Sequence, residues 1–144
     1  MTVATRGLLD TNILILMEGL DQRELPLEQA ISAITLAELS AGPLATDDPQ
    51  EQAGRQDILT RAESEFEPIP FDTAAARAFA RVYAAVLAAG RNPRRNTADL
   101  LIASIAVANR LPLYTVNPDD FKGLEHLVRV EPVTHPQDRP HSGR

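Results

Sequence analysis

The sequence predicts an α/β fold with three layers, in which a mostly parallel sheet of four to five strands lies between helices. Short apolar runs of strand length occur at residues 7–10, 31–34, 68–70, 113–116 and 127–130. Segments with the apolar spacing of helices lie between most of these runs, and such alternation is typical of parallel sheets covered by helices. The length of 144 residues, 44% of them hydrophobic, suits a single domain.

The first strand, residues 7–10, ends on a carboxylate and leads into a helix predicted over residues 13–20. Asp10 therefore stands at the carboxyl end of a strand, which is where open α/β sheets bind ligands. It also stands just before a helix, where Asp is a preferred N-cap. This stretch alone leaves both roles open.

The second strand, residues 31–34, passes directly into a helix predicted over residues 35–42. Thr35, followed three residues later by Glu38, matches a capping box, in which both side chains satisfy backbone donors at a helix start. Gly42 followed by Pro43 is typical of a helix end. Glu38 therefore has a local structural explanation as well as a possible role in a site.

Helices dominate the predicted middle of the chain. An Asp-Asp-Pro sequence at positions 47–49 predicts the start of a helix that runs to about residue 66. The two prolines within residues 68–70 restrict that strand to a sheet edge, because proline cannot donate to the ladder. Asp72 is expected to cap an Ala-rich helix over residues 73–89, which Gly90 ends.

A basic loop, residues 91–95, leads into a helix whose residues 100–108 are almost all apolar, so that this helix is expected to be buried. Asn96 as its cap and Asp99 in its first turn both suit a helix N-terminus. Arg94 and Arg95 of the loop either form a solvated turn or bind phosphate, which arginine can contact through two parallel hydrogen bonds.

The last elements are a strand at residues 113–116, a turn or single helical turn at 117–121 and a strand at 127–130. From Pro132 onward the chain is polar and rich in proline, with no pattern of burial. We therefore expect one domain over residues 1–131 and a disordered tail over residues 132–144.

Composition excludes several classes of site. The sequence has no Cys, which excludes disulfides, thiolate zinc sites and a Cys nucleophile, and two of its three His lie in the polar C-terminal region. No apolar run approaches the roughly 18 residues of a membrane helix, and no signal peptide is evident, so we expect a cytoplasmic protein that does not contact membranes. Residues 1–72 hold 4 basic and 14 acidic residues, a balance of −10, whereas residues 73–144 hold 10 and 6, a balance of +4. Only the second half would attract a nucleic acid.

Four carboxylate positions follow a strand or begin a helix: Asp10, Glu38, Asp99, and Asp119 or Asp120. If these strand ends and helix starts face one side, the carboxylates converge there. Such a group would be strongly repulsive unless a cation neutralised it. Oxygen ligands suit Mg²⁺ or Mn²⁺, and Mg²⁺ is usually held by few carboxylates together with water and substrate phosphates.

The same positions carry a family resemblance. The chain resembles the PIN-domain ribonucleases, and within them the VapC toxins of prokaryotic toxin–antitoxin pairs. Four pieces match in the family's order and span residues 7–130: Leu8-Leu9-Asp10-Thr11-Asn12, Ile34-Thr35-Leu36-Ala37-Glu38-Leu39 with Gly42, Thr97-Ala98-Asp99-Leu100-Leu101-Ile102-Ala103, and Thr115-Val116-Asn117-Pro118-Asp119-Asp120-Phe121.

The resemblance implies hydrolysis of RNA phosphodiester bonds with Mg²⁺ or Mn²⁺ as the cofactor. Asp10, Glu38 and Asp99 match the family's acidic triad, and Asp120 is the better match for a fourth catalytic and metal-binding acid. Neighbouring polar side chains are expected to support the acids, and two arginines that stand close to Asp99 on the chain could hold RNA phosphate. The supporting residues are Thr11, Asn12, Thr115, Asn117 and Asp119, and the arginines are Arg94 and Arg95.

The resemblance further implies a small antitoxin as protein partner, and either a homodimer or a toxin–antitoxin hetero-oligomer. Helical surfaces near residues 13–20 and 36–41 are the candidate dimer surfaces. Three other hypotheses remain open: a catalytically silent module that binds RNA or protein, a phosphotransferase with Asp10 as nucleophile, and a protein in which every acid is only a cap. The second lacks the usual Asp two residues on, where this chain has Asn12.

Overall fold

The computed structural model describes residues 5–139, and four parallel strands form its sheet in the order β2-β1-β3-β4. Leu8 of β1 lies opposite Ala30 of β2 on one side and opposite Leu113 of β3 on the other. The strands are β1 (Arg6–Leu9), β2 (Glu28–Ala30), β3 (Leu113–Thr115) and β4 (Val130–Pro132). The predicted parallel sheet is confirmed, and the carboxyl ends of all four strands meet at one edge.

Five α-helices accompany the sheet within the described residues: α1 (Thr11–Leu16), α2 (Ala33–Ala41), α3 (Pro49–Glu65), α4 (Thr73–Ala88) and α5 (Thr97–Asn109). Short 3₁₀ helices occur at Met17–Gly19, Gln22–Glu24, Gly42–Ala45, Pro118–Phe121 and Pro136–Asp138. The side chains of Asp10, Asp48 and Asp72 accept backbone N–H groups at the starts of α1, α3 and α4, as expected for Asp at an N-cap. None of the helices in this part of the chain combines the length and the apolar character needed to cross a bilayer.

Apolar side chains alternate between the two faces of the sheet, which gives the fold its three layers. Leu8 and Leu113 belong to a buried cluster with residues of α4 and α5. Leu9 and Tyr114, the next residues of the same strands, belong to a second cluster with residues of α1, α2 and α3. This alternation is the two-residue period of a strand that is buried on both faces.

Gly7 of β1 lies beneath the ring of Tyr114. A Cβ atom at position 7 would lie 2.3 Å from Cε1 of that ring, which is closer than real Cβ contacts. Glycine is therefore required here so that the aromatic ring can cover the strand.

The second strand and helix begin earlier than predicted. Ser32, not Thr35, is the N-cap of α2, because its Oγ accepts the Thr35 N–H at 3.0 Å. The strand expected at residues 31–34 is consequently found at Glu28–Ala30, and the capping box of Thr35 and Glu38 is wrong. The expected edge strand at residues 68–70 is reduced to one parallel bridge between Ser32 and Ile69.

The last strand also differs from the prediction. Residues 124–128 form a turn, in which the Leu124 carbonyl accepts the N–H groups of Leu127 and Val128 at 2.9 and 3.0 Å. The strand therefore begins at Val130 and not at 127.

The expected disordered tail from residue 132 is wrong for residues 132–139. Pro132 ends β4, Val133 is buried, and Thr134 donates its N–H to Glu24 Oε1 at 2.7 Å. Arg139 donates to the Gly19 carbonyl at 2.8 Å. The polar, proline-rich sequence suggested disorder, but the segment is ordered by hydrogen bonds to residues far away in the sequence. Residues 140–144 lie outside the described part of the chain.

A candidate active site at the carboxyl ends of the strands

A cavity of about 360 Å³ contains the three acids that the sequence singled out. Asp10 lies at the end of β1, Glu38 on α2 and Asp99 in the first turn of α5, and all three line this cavity. Thr11, Asn12 and Arg55 are also in its lining. The cavity is thus formed where the end of the central strand β1 meets the starts of α1 and α5.

Asp10 is the most buried of these carboxyl groups, with 5% of its surface exposed. Its Oδ1 accepts the Ile13 N–H at 3.3 Å, so that the residue does cap α1. Burial raises its pKa from the usual 3.8 to about 6, and the charges of Asp120 and Glu38 add to that rise. The Thr115 hydroxyl and the Ile13 N–H partly offset the rise, because both stabilise the carboxylate form. The capping and site roles of Asp10 are therefore compatible.

Asp99 is similarly perturbed. Burial, followed by the charges of Asp120, Asp10 and Glu38, raises its pKa to about 7, and Arg91 slightly opposes this rise. The expected cap beside it, Asn96, makes no side-chain hydrogen bond to the start of α5. A carboxyl group whose pKa is raised in a cleft by burial and by like charges is typical of functional sites.

A chain of hydroxyl groups supports Glu38. Ser32 Oγ donates to Thr35 Oγ1 at 3.4 Å, the hydroxyl oxygens of Thr35 and Thr11 are 3.0 Å apart, and Thr11 donates to Glu38 Oε1. Thr35 is completely buried, whereas Glu38 is exposed to the cavity and to solvent. The chain therefore connects the buried start of α2 to a carboxylate at the cavity.

Asp120 and its neighbours lie slightly apart from this cavity. Asp120 lines a second cavity, but its charge still raises the pKa of both Asp10 and Asp99. Asp119 is exposed and lines neither cavity. Asn117 is exposed too, and its N–H donates to Thr115 Oγ1 at 2.9 Å. Of the alternatives at this turn, Asp120 is the one coupled to the other acids.

The arginines of the basic loop, residues 91–95, differ in where they lie relative to the two cavities. Arg94 and Arg95 are both exposed, but Arg95 lines the second cavity and Arg94 lines neither of the two. Arg91, which was not among the expected RNA contacts, lines the second cavity, and its positive charge lowers the pKa of Asp99. Arg55 was also missed; its Nη1 donates to the Gly42 carbonyl at 2.9 Å, which holds α3 beside the first cavity. Nothing local in the sequence around Arg55 indicates that contact, whereas Gly90 before Arg91 is a signal of a fixed helix end.

The donor set fits a hard divalent cation, since it consists of carboxylate and hydroxyl oxygens. Neither Asp10 nor Asp99 takes part in a salt bridge within residues 5–139. In the same residues no three acidic or His side chains are arranged to hold a metal ion as they stand. A complete cage is not needed for Mg²⁺, which usually takes one or two carboxylates and fills its other positions with water and substrate oxygens. Asp10 and Asp99 are the two carboxylates best suited to that role.

Comparisons with known proteins identify relatives over nearly the whole chain. The model of the PIN domain family matches residues 7–127. Ribonuclease VapC5 of Mycobacterium tuberculosis is 36% identical over 133 residues, which cover 90% of this chain and 96% of the relative. The crystal structure of VapBC-5 from the same organism, a member of the VapBC family of toxin-antitoxin systems, has a TM-score of 0.77 at 35% identity and covers 90% of this chain and 98% of its own. The crystal structure of VapBC2 from Rickettsia felis, bound to a promoter DNA fragment, has a TM-score of 0.68 at 26% identity. It covers 86% of this chain and 96% of its own.

Proposed function

The chain belongs to the PIN-domain family and, within it, to the VapC ribonucleases, and we propose that it is a metal-dependent endoribonuclease and the toxin of a toxin–antitoxin pair. The observation that carries this proposal is the cavity in which Asp10, Glu38 and Asp99 meet at the carboxyl ends of parallel strands. The raised pKa values of Asp10 and Asp99 support it, because such carboxylates gain most from a bound cation.

Asp10 and Asp99 would hold Mg²⁺ or Mn²⁺ directly. Glu38 and Asp120, whose charges raise the pKa of both, would complete the site only after their side chains shift, since no three acids within residues 5–139 are arranged around a metal position as they stand. When bound there, the metal would supply a Lewis acid for the scissile phosphate and a water of lowered pKa for attack on it. Asp120 would also oppose the approach of RNA unless a cation balanced its charge. The requirement for a metal thus follows from the acids themselves.

The remaining residues of the site position these acids. Thr115 and the Ile13 N–H fix the carboxylate of Asp10, and Thr11 fixes that of Glu38. Held carboxylates lose less conformational entropy when they bind a cation. We infer that Asn12 and Asn117 contact water or substrate at the edge of the site, since both are exposed there.

RNA is the proposed substrate, and the basic loop with Arg94 and Arg95 is proposed to bind its phosphates. An arginine fork suits a phosphate group, and the loop directly precedes Asp99 on the chain. We further propose that the protein acts in the cytoplasm, where its RNA substrate and its antitoxin would be made.

A cognate antitoxin is the proposed protein partner, because the structural relatives are VapBC proteins of toxin-antitoxin systems. For a homodimer, the two helical surfaces suggested by the sequence remain proposals. On α1, Ile13 and Leu14 are buried and Ile15 is 48% exposed, so that Ile15 would be the apolar contact of that surface.

Cleavage of total cellular RNA by the purified, antitoxin-free chain tests the proposed function. We expect cutting with Mn²⁺ or Mg²⁺ that EDTA abolishes and that Asp99→Asn abolishes as well. Folded wild-type chain that binds RNA but does not cut it with either metal would favour a catalytically silent binding module. Cutting that is unaffected by Asp99→Asn would mean that a different site or a contaminating nuclease is responsible.

A further inference from the structure

A second cavity, of about 440 Å³, lies where the end of α4, the basic loop and the start of α5 meet the 3₁₀ helix Pro118–Phe121. Its lining differs from that of the acidic cavity and includes two arginines, two asparagines, two apolar side chains and one acid. These are Arg91, Arg95, Asn92, Asn96, Val86, Leu100 and Asp120. The volume lies within the range of about 300–1,000 Å³ that small-molecule sites occupy.

This cavity adjoins the acidic site. Asp120 lines it and acts electrostatically on both Asp10 and Asp99, while Arg91 lines it and acts on Asp99. Consecutive residues of α5 also line the two cavities, Asp99 the acidic one and Leu100 the second. An RNA strand that crosses the acidic cavity would therefore pass next to the second cavity.

The backbone fixes Arg91 in this position. Gly90 adopts a positive φ of 76°, and the N–H of Arg91 donates to the Val86 carbonyl at 3.1 Å. Together with the Gly90 N–H on the Leu87 carbonyl at 2.9 Å, this is the hydrogen-bond pattern of a Schellman motif. The guanidinium is then held at its far end, because its Nη1 donates to the Lys122 carbonyl at 2.8 Å. A side chain that is already ordered loses little entropy on binding.

The rest of the lining offers contacts of another kind. Val86 and Leu100 form an apolar floor of the cavity, and only the 2% and 3% of their surfaces that are exposed can touch an occupant. Asn92 provides a side-chain NH₂ group that can donate, while its Oδ1 already accepts the Arg94 N–H at 3.0 Å. Two guanidinium groups, an amide donor and a small apolar floor suit a nucleotide, with its phosphate at the arginines and its base over the floor.

We propose that the second cavity binds one nucleotide of single-stranded RNA next to the bond that is cut, with Arg91 and Arg95 on its phosphate and Val86 and Leu100 against its base. The proposal rests on the proposed ribonuclease function and assigns that function a substrate subsite. A single nucleotide is the right occupant, because proteins read RNA mainly through unstacked bases of single strands and loops.

Binding of a short fluorescein-labelled single-stranded RNA tests the subsite without cleavage. Fluorescence anisotropy is measured with Mg²⁺ at several KCl concentrations, using the full chain that carries Asp10→Asn to prevent cutting. We expect Arg91→Gln to weaken binding about tenfold, the size of a lost charged hydrogen bond. The slope of log affinity against log salt should also become shallower by about 0.7. Arg77→Gln, an exposed arginine on α4 remote from the loop, is the matched control and should change neither quantity.

Arg95→Gln is the second variant, because the Arg95 side chain makes no hydrogen bond within residues 5–139 and its loss leaves the loop contacts intact. It should weaken RNA binding with the same change of salt slope even if Arg91→Gln disturbs the loop through Lys122. Equal binding by Arg91→Gln, Arg95→Gln and Arg77→Gln would overturn the subsite.

The two proposals fail in distinguishable ways. Metal-dependent cutting by the wild type, with RNA binding that is indifferent to Arg91 and Arg95, would refute the subsite and leave the ribonuclease function standing. Binding that depends on both arginines, in a wild-type chain that never cuts, would refute the ribonuclease function and leave the second cavity as an RNA-binding site without a neighbouring cleavage site.

Discussion

Replacement of Asp99 by Asn should stabilise the metal-free protein at neutral pH while it removes the proposed activity. The pKa of Asp99 is raised from 3.8 to about 7, so the folded state retains a proton that the unfolded state has lost over that interval. The free energy of unfolding therefore falls as the pH rises from about 4 to about 7, because the folded state binds more protons there. Above about pH 7 Asp99 is ionised in the folded state as well, and the loss of unfolding free energy reaches its full value.

The size of this effect follows from the same pKa. At about 1.36 kcal/mol for each pH unit, the difference corresponds to an upper limit of about 4 kcal/mol. Asp99 is partly exposed, and water screens its interactions, so about half of this limit is the reasonable expectation. We therefore expect Asp99→Asn to raise the free energy of unfolding by about 2 kcal/mol at pH 8 and by about half as much at pH 5.5.

Urea denaturation followed by circular dichroism, in EDTA at both pH values, measures this difference. Asp57→Asn is the matched control, since Asp57 is an exposed acid on α3, and should have no comparable effect. Addition of Mg²⁺ should stabilise the wild type at pH 8 and should not stabilise Asp99→Asn, because only a ligand that binds the folded state shifts its stability. If Asp99→Asn were less stable than the wild type in EDTA at pH 8, or if its gain were the same at both pH values, the electrostatic account of the site would be refuted.

Three further predictions concern the hydroxyl chain, the strand under the aromatic ring and the pH dependence of the site. Thr35→Val should lower Mg²⁺ affinity and RNA cleavage about tenfold or more, as loss of a supporting contact does at metal sites, and Thr35→Ser should restore both in Mg²⁺ titrations. Gly7→Ala should destabilise the fold by about 1–3 kcal/mol in urea denaturation, because its Cβ would overlap the Tyr114 ring. Gly54→Ala, in mid-helix with open space around it, should instead stabilise it by about 0.5–1 kcal/mol. Mg²⁺-dependent cleavage should decrease as the pH falls through about 7 and then about 6, where Asp99 and Asp10 take up protons that compete with the metal.

Each of these has an outcome that would count against it. Equal activity of Thr35→Val and Thr35→Ser would show that the hydroxyl chain does not hold Glu38. Equal stability of the two alanine variants of Gly7 and Gly54 would mean that the Tyr114 ring moves away without cost. Cleavage that is constant between pH 5 and pH 8 at limiting Mg²⁺ would mean that the titration of Asp10 and Asp99 is not linked to metal binding.

The parallel sheet was predictable because it depends on local sequence, whereas the meeting of Asp10, Glu38 and Asp99 was a conditional expectation that the family resemblance favoured. A strand that ends on Asp10 places that residue at the ligand-binding edge of a parallel sheet, whatever the details of packing. The nearly continuous apolar run after Asp99 likewise requires a buried helix with its first turn at the same edge.

Features that depend on tertiary contacts were not predictable in the same way. Thr35 was assigned to a capping box because its spacing to Glu38 fits one. In the structure Ser32 caps the helix, and the Thr35 hydroxyl is hydrogen-bonded to that of Thr11 instead. Arg55 reaches the acidic cavity only because α3 packs against the residues that follow α2, a contact 13 residues apart in sequence. The segment at residues 132–139 is held by Glu24 and Gly19, more than 100 residues away, which no local pattern indicates.

The most direct test of the account is the position of a bound metal ion. Crystals of the wild-type chain soaked in Mn²⁺ should give an anomalous difference peak in the acidic cavity, with carboxylate oxygens of Asp10 and Asp99 at about 2.0–2.3 Å. The peak should be absent in crystals of Asp99→Asn soaked in the same solution. A peak at other residues, or a peak of equal height in Asp99→Asn, would contradict the central claim that these carboxylates form the metal site.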